Sequence, residues 1–404
     1  MVFKDSADTA IPALAGVQRQ AAIVGGTAAV VSLAGLFINP TQFFQSYLMA
    51  YMWCLGATLG CLALGMIHQL SGGEWGVLIR RPIGAASRVL PVMTVLFIPI
   101  ALGMFKLYHW THAEAVAHDE ILQYKHLYLN VPFFLARAVV YFAAWNTMVF
   151  FLNRWSLQQD ANPDPLLARR MQKISGIGLV VYGLTITFAS FDWMMSLDPH
   201  WYSTMYGVLI MGGQGLTALA FLIIVVVWLS RRPPLSAIVL PGHLHDLGNL
   251  MLAFTMLWAY FSFSQYLIIW SGNLPHEIGW YLHRSYTSWR IVAVALIVLH
   301  FAVPFVLLLS RRIKRQADLI LRVAVFILFV RLIDLFWLIS PEFHHDGLSI
   351  SWLDIVMPIA LGGIWLAAFV WQLRGRAILP VHDPQFDETL GEIIERGQRT
   401  KPAH

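Results

Sequence analysis

Apolar runs of about twenty residues recur along the chain, separated by short stretches where charged and turn-forming residues collect. A helix needs roughly that length to cross about 30 Å of hydrocarbon, and in lipid a helix satisfies its own backbone hydrogen bonds. Ten such runs are present, at 21–38, 43–67, 90–107, 131–152, 174–195, 202–229, 248–271, 289–310, 319–340 and 352–373. No segment shows the period-two alternation of a strand. The pattern predicts an all-α integral membrane protein with ten transmembrane helices, one polytopic domain over 1–404, and a cytoplasmic tail over 374–404. The longest connections, 68–89 and 108–130, leave no room for a soluble domain between spans.

Composition sharpens this picture. Charged residues make up 12% of the 404 residues and the mean hydropathy is +0.64, against roughly 25% charge in a soluble domain. A soluble enzyme, a disordered protein and a nucleic-acid binder are excluded, despite a formal charge of +5. The positive charge follows topology instead. Of 27 Lys and Arg residues, 20 fall in the segments on the side of the N-terminus and 3 on the opposite side, namely Lys106, Lys125 and Arg284. Because cytoplasmic loops retain positive charge, both termini are expected in the cytoplasm. The first twenty residues show no apolar core followed by a cleavage signal, so the N-terminus is expected to be retained.

Only two cysteines occur, Cys54 and Cys61, within one apolar run. They provide no disulfide scaffold, iron–sulfur ligand set, CxxCH haem attachment or zinc knuckle. No cofactor is expected in this chain, and any redox centre of those kinds belongs to a partner. A bis-histidine haem b needs facing histidines on two spans, and only His300 lies well inside one.

The loops on the side opposite the basic one, 108–130, 196–201, 272–288 and 341–351, hold nine of the fifteen histidines and many aromatics. Short interfacial helices are expected there, either as ordinary aromatic belts or as a docking surface for an extracytoplasmic subunit. His109 with His112, or His344 and His345 with Asp346, are the metal candidates. Gly56 and Gly60, the Gly212-Gly213-x-Gly215 cluster, and Gly362-Gly363 are the small residues that let helices approach closely.

Charges inside a span are expensive, roughly 2.5 to 3.5 kcal/mol at the helix centre, and mark candidate sites. Five residues stand out: Arg137, Asp192, His300, Arg331 and Asp334. Arg331 and Asp334 are three apart on one helical face, roughly 18 and 22 Å from the cytoplasmic start of their span, and His300 lies at a similar depth on the preceding one. Asp192 and Arg137 sit near the outer ends of theirs. Three readings stay open: static pairing of Arg331 with Asp334 and of Arg137 with Asp192, a proton path in which His300 titrates near neutral pH, and direct quinone contact.

The stretches FDWMMSLDPHWYSTMYG (191–207) and HDLGNLMLAFTMLWAYFSFSQYLIIWSGNLPHEIGWYLHR (245–284), with LPVHDP (379–384), resemble the membrane subunits of alternative complex III, a bacterial quinol oxidoreductase. That family is in turn similar to the NrfD and polysulfide-reductase membrane subunits. The resemblance implies two four-helix bundles, spans two to five and six to nine, flanked by two further helices. It implies a bacterial inner-membrane subunit without cofactors of its own that supports quinol oxidation and conducts protons, with quinone and lipid left open as ligands. The implied partners are an NrfD-like paralogue, an iron–sulfur subunit, multihaem cytochrome c subunits carrying haem c, and other small membrane subunits. The strings DPHW and LPVHDP are closer to the companion paralogue than to the quinol-binding one.

Two other readings compete. A secondary transporter has a similar number of spans, but it tends to repeat interrupted spans in its two halves, and Arg331 and Asp334 have no counterpart in the first half. A purely structural anchor for redox subunits makes no demand on the buried charges.

Overall fold

The computed structural model describes residues 12–374 apart from 163, 233 and 234, and these residues form helices with no strand among them. The LPVHDP string and the tail after Arg374 lie outside the described residues. Nine described helices are long and apolar enough to cross a membrane. They are α1 (Pro12–Ile38), α2 (Pro40–Ser71), α3 (Leu78–Leu102), α4 (Val131–Ala161), α5 (Pro165–Trp193), α6 (Tyr206–Ser230), α7 (Pro241–Gly272), α8 (Trp289–Leu309) and, after an intervening helix, α10 (Leu353–Arg374). The intervening helix, α9 (Ala317–Ile339), has 23 residues but carries Asp318, Arg322, Arg331 and Asp334, which set its composition apart from the nine.

Local chemistry fixes many of the ends. Asn39, Asn130 and Asp164 cap α2, α4 and α5 by accepting hydrogen bonds from the backbone N–H of Gln42, Phe133 and Leu166, and each helix opens on or next to a proline. Side-chain caps satisfy orphan N–H groups, and proline fits the first turn because its missing N–H costs nothing there. Most helices run past the apolar stretch into the interface, since hydrophobicity marks the hydrocarbon while the helix continues beyond it.

The third span departs from expectation. The segment 68–89, read as a connection, holds the helix Glu74–Ser87, and the crossing runs over Leu78–Leu102 rather than 90–107. Arg81 and Arg88 lower its apparent hydrophobicity, yet both are met by neighbours: Arg81 pairs with Asp160 at 2.5 Å, and Arg88 donates to Gln372 and Asn153. Gly103 ends the crossing, and a methyl group there would collide with the Phe44 ring.

Helices α2 and α6 form the centre, with 83% and 89% of their apolar stretches buried. They pack against each other where Gly60 meets the Gln214 carbonyl with no space for a side chain. Around them α2 contacts α3, α5, α9 and α10, and α6 contacts α5, α7 and α9. Helix α1 lies chiefly against α10 through Gly25 and Gly363. The remaining outer faces are apolar and uncovered, as at Val30, Val139, Ile177 and Ile297. Apolar surface this continuous suits acyl chains, since soluble monomers rarely expose apolar patches larger than a few hundred Å². The chain is a multi-pass membrane protein.

Short helices Ala113–His118, Glu120–Lys125 and Pro275–Tyr286 occupy the loops 108–130 and 272–288, where interfacial helices are expected.

Candidate functional site

Arg137 on α4 and Asp192 on α5 meet as a fork: Nε and Nη2 each donate to one carboxylate oxygen at 2.8 Å. Tyr141 one turn along α4 adds a third donor to Asp192 at 2.8 Å, and the remaining Arg137 Nη1 donates to the Tyr128 carbonyl. The guanidinium lies 3.8 Å from the Tyr128 ring centroid and 4.3 Å from that of Phe133. Bidentate geometry with aromatic cover compensates the desolvation of both charges. Beside the pair, Trp193 anchors a ring cluster with Phe97, Phe142 and Trp145. The two charged groups are fully engaged, which is the chemistry of a structural pair.

The second pair is less complete. Arg331 and Asp334 are bonded to each other on α9, Arg331 Nε donates to Thr217 on α6 at 3.3 Å, and the Trp258 indole on α7 donates to Asp334 at 3.3 Å. Gly213 makes the space for the guanidinium, because a methyl group there would overlap it. His300 on α8 lies against Trp258 with ring centroids 3.9 Å apart, and neither of its ring nitrogens has a hydrogen-bond partner. Its placement has a local cause. Pro304 has no N–H to donate to the His300 carbonyl four residues back, and the helix widens into a π turn over Ile297–Ala302, with the Val303 N–H reaching Val298. Such turns often occur at functional sites.

Sequence reasoning missed a polar residue of α6. Gln214 follows Gly213 on α6, takes a 2.8 Å hydrogen bond from Tyr182 of α5, and leaves its own buried Nε2 without a partner. The glycine cluster draws attention to spacing, and the polar residue between the glycines is the stronger signal. The structure thus joins Arg137 to Asp192, and Arg331 to Asp334 with His300 close by, but among the described residues no hydrogen bond links the two clusters.

A third cluster lies at the N-terminal end of α10. Asp354 accepts from Ser46 Oγ at 2.5 Å, Gln42 Nε2 at 3.1 Å and the Ser351 N–H at 2.8 Å, while His344 Nε2 lies 3.1 Å from Gln42 Oε1. His344, one of the metal candidates, is therefore engaged with an amide. His112 is engaged with the Phe105 carbonyl. Among the described residues no three of His, Cys, Asp and Glu gather as a metal site. Burial pushes the His344 imidazole below its ordinary pKa, with the Asp354 carboxylate opposing the shift and His345 adding to it.

The turn SLDPHW is tied to the loop before α4. His200 pairs with Asp119 at 2.6 Å, and Lys125 Nζ donates to the Pro199 carbonyl at 2.5 Å. The Leu122 backbone N–H, more than His200, holds the Asp119 carboxyl below its usual range. Burial raises Asp198 and lowers Lys125. Arg284 of the outer helix stacks on Trp280, 3.4 Å from the ring centroid, and pairs with Glu342 at 2.6 Å, clamping the Pro275–Tyr286 helix to the end of α9.

No protein-family model matches the chain, and no curated protein is similar to it.

Proposed function

We propose that the chain is a ten-span membrane subunit of a quinol:electron-acceptor oxidoreductase of the alternative complex III type, in the role of the ActF-type companion, with α9 as the tenth span and helices α2–α5 and α6–α9 as two bundles. It carries no cofactor. Its partners are an NrfD-like paralogue, an iron–sulfur subunit and multihaem cytochrome c subunits on the outer face of a bacterial inner membrane, and both termini are cytoplasmic. Within the assembly it moves protons through the second bundle.

The observation that carries the proton role is His300: among the described residues both of its ring nitrogens are buried with no partner, and its ring packs on Trp258, the donor to Asp334. Buried polar groups are nearly always hydrogen-bonded, so a titratable ring with both nitrogens unpartnered, next to a buried ion pair, marks a place where water fits and protons pass. In the Arg137–Asp192 pair both carboxylate oxygens and all three guanidinium nitrogens are hydrogen-bonded, and the pair is assigned to structure.

The test is purification of the chain from its native membrane, followed by Asp334→Asn and His300→Phe in the assembly that results. Co-purification of iron–sulfur and multihaem subunits, with quinol oxidation retained and proton release reduced in both variants, is the expected result. A chain that purifies alone and binds a solute is a transporter; an intact assembly with unchanged proton release in both variants makes it an anchor.

A further inference from the structure

A cleft of about 1000 Å³ lies between α1, α2, α9 and α10. It opens to the lipid side between exposed Val325 and Phe329 of α9 and exposed Ile355 and Ile359 of α10. Its length follows α10 from Asp354 to Leu366, about 18 Å at 1.5 Å per residue. The walls are apolar: Trp53 and Trp365 line it, but their indole N–H groups are spent on the Leu328 carbonyl and Thr58. Gly362 and Gly363 are the two glycines of the lining.

One end differs. Asp354 is the single acidic residue of the lining, and no lysine or arginine accompanies it among the described residues. An ionised carboxylate offers about four acceptor positions, and Ser46, Gln42 and the Ser351 N–H take three. Pro358 adds another acceptor, since it has no N–H for the Asp354 carbonyl four residues before it. The head of the cleft therefore wants a hydrogen-bond donor and repels an anion, while the remainder wants a single extended hydrocarbon.

We infer that this cleft binds an uncharged, hydroxyl-headed amphiphile with one long apolar tail, its head on Asp354 at the outer end of α10 and its tail running inward between α9 and α10. Both a prenylated hydroquinone and a monoacylglycerol meet that description. The absence of a basic residue argues against phospholipid phosphate. The inference rests on the cleft alone and is independent of the proton role proposed above.

Two photoreactive probes decide it, a decyl hydroquinone and a monoolein, each with a diazirine in the tail, applied to native membranes containing the full chain. Labelled peptides from α9 and α10, competed by the unlabelled parent compound, are expected with at least one probe. Competition by one parent or by both identifies the source. Ile359→Trp, which fills the cleft from an exposed position, is expected to abolish the competed labelling, and Val325→Trp on the opposite wall serves if the first variant does not accumulate. Asp354→Asn is expected to weaken competition about tenfold, the loss of one hydrogen bond to a charged acceptor, while Val139→Trp on the lipid face of α4 changes nothing. Labelling that no parent compound competes, or that persists in the filled variant, overturns the inference.

Discussion

Asp192 on α5 receives both arms of the Arg137 guanidinium from α4, and Tyr141 closes the remaining approach at 2.8 Å. A buried pair of this kind is costly to break and cheap to replace. Asp192→Leu alone strands a buried cation, and the expected loss of stability is about 3–5 kcal/mol. The double variant Arg137→Met with Asp192→Leu is expected to recover most of it. Unfolding midpoints in detergent for the two variants check this, and a double variant as unstable as the single one counts against a purely structural pair.

Gly213 controls the other pair. A methyl group at this position would overlap the Arg331 guanidinium, which is held by Asp334 and Thr217 and has little freedom to retreat. Overpacking of a close-packed site costs roughly 1–3 kcal/mol. Gly213→Ala is expected to destabilise the chain by that order, and adding Arg331→Met together with Asp334→Leu, which removes the whole pair, to restore most of it. Thermal unfolding of both variants is the measurement.

Much of this was legible along the chain. Span length and apolar composition predict the helical membrane architecture because hydrocarbon leaves a polypeptide few alternatives, and the three-residue spacing puts Arg331 beside Asp334 because a helix repeats every 3.6 residues. The third span was less legible, since Arg81 and Arg88 read as loop charges until Asp160, Gln372 and Asn153 supply partners from distant parts of the chain. Gln214 and Asp354 escaped for the same reason. A polar residue in a span shows its role only when the neighbouring helix is known, and Gln42 is 312 positions away from Asp354.

His344 supplies a pH dependence. Its folded pKa lies below the ordinary 6.5, chiefly through burial, so the unfolded loop binds a proton more readily than the folded one. Stability contributed by this group is complete above the unfolded pKa and falls as pH drops through 6.5 towards the folded value. The segment 341–351 is expected to gain amide exchange between pH 7 and pH 5, after correction for intrinsic rates, and His344→Gln is expected to flatten that response. An equal response in the variant removes His344 as its origin.

Neighbouring glycines on α1 separate packing from helix propensity. A methyl group at Gly25 would lie 2.7 Å from the Ile364 backbone nitrogen and 2.8 Å from the Gly363 carbonyl carbon of α10, and backbone atoms cannot step aside as a side chain can. One residue on, Gly26 has nothing within 4 Å. In lipid the two helices are held by van der Waals contact at such small residues rather than by hydrophobic expulsion from water. Gly25→Ala is therefore expected to pry α1 from α10 and raise amide exchange across 12–38, at a cost of about 1–3 kcal/mol. Gly26→Ala is expected to leave exchange unchanged or lower it, because alanine favours a helix by up to about 1 kcal/mol over glycine. Hydrogen exchange on the two variants in lipid nanodiscs makes the comparison, and equal behaviour at the two positions would show that the contact at Gly25 does not hold α1 in place.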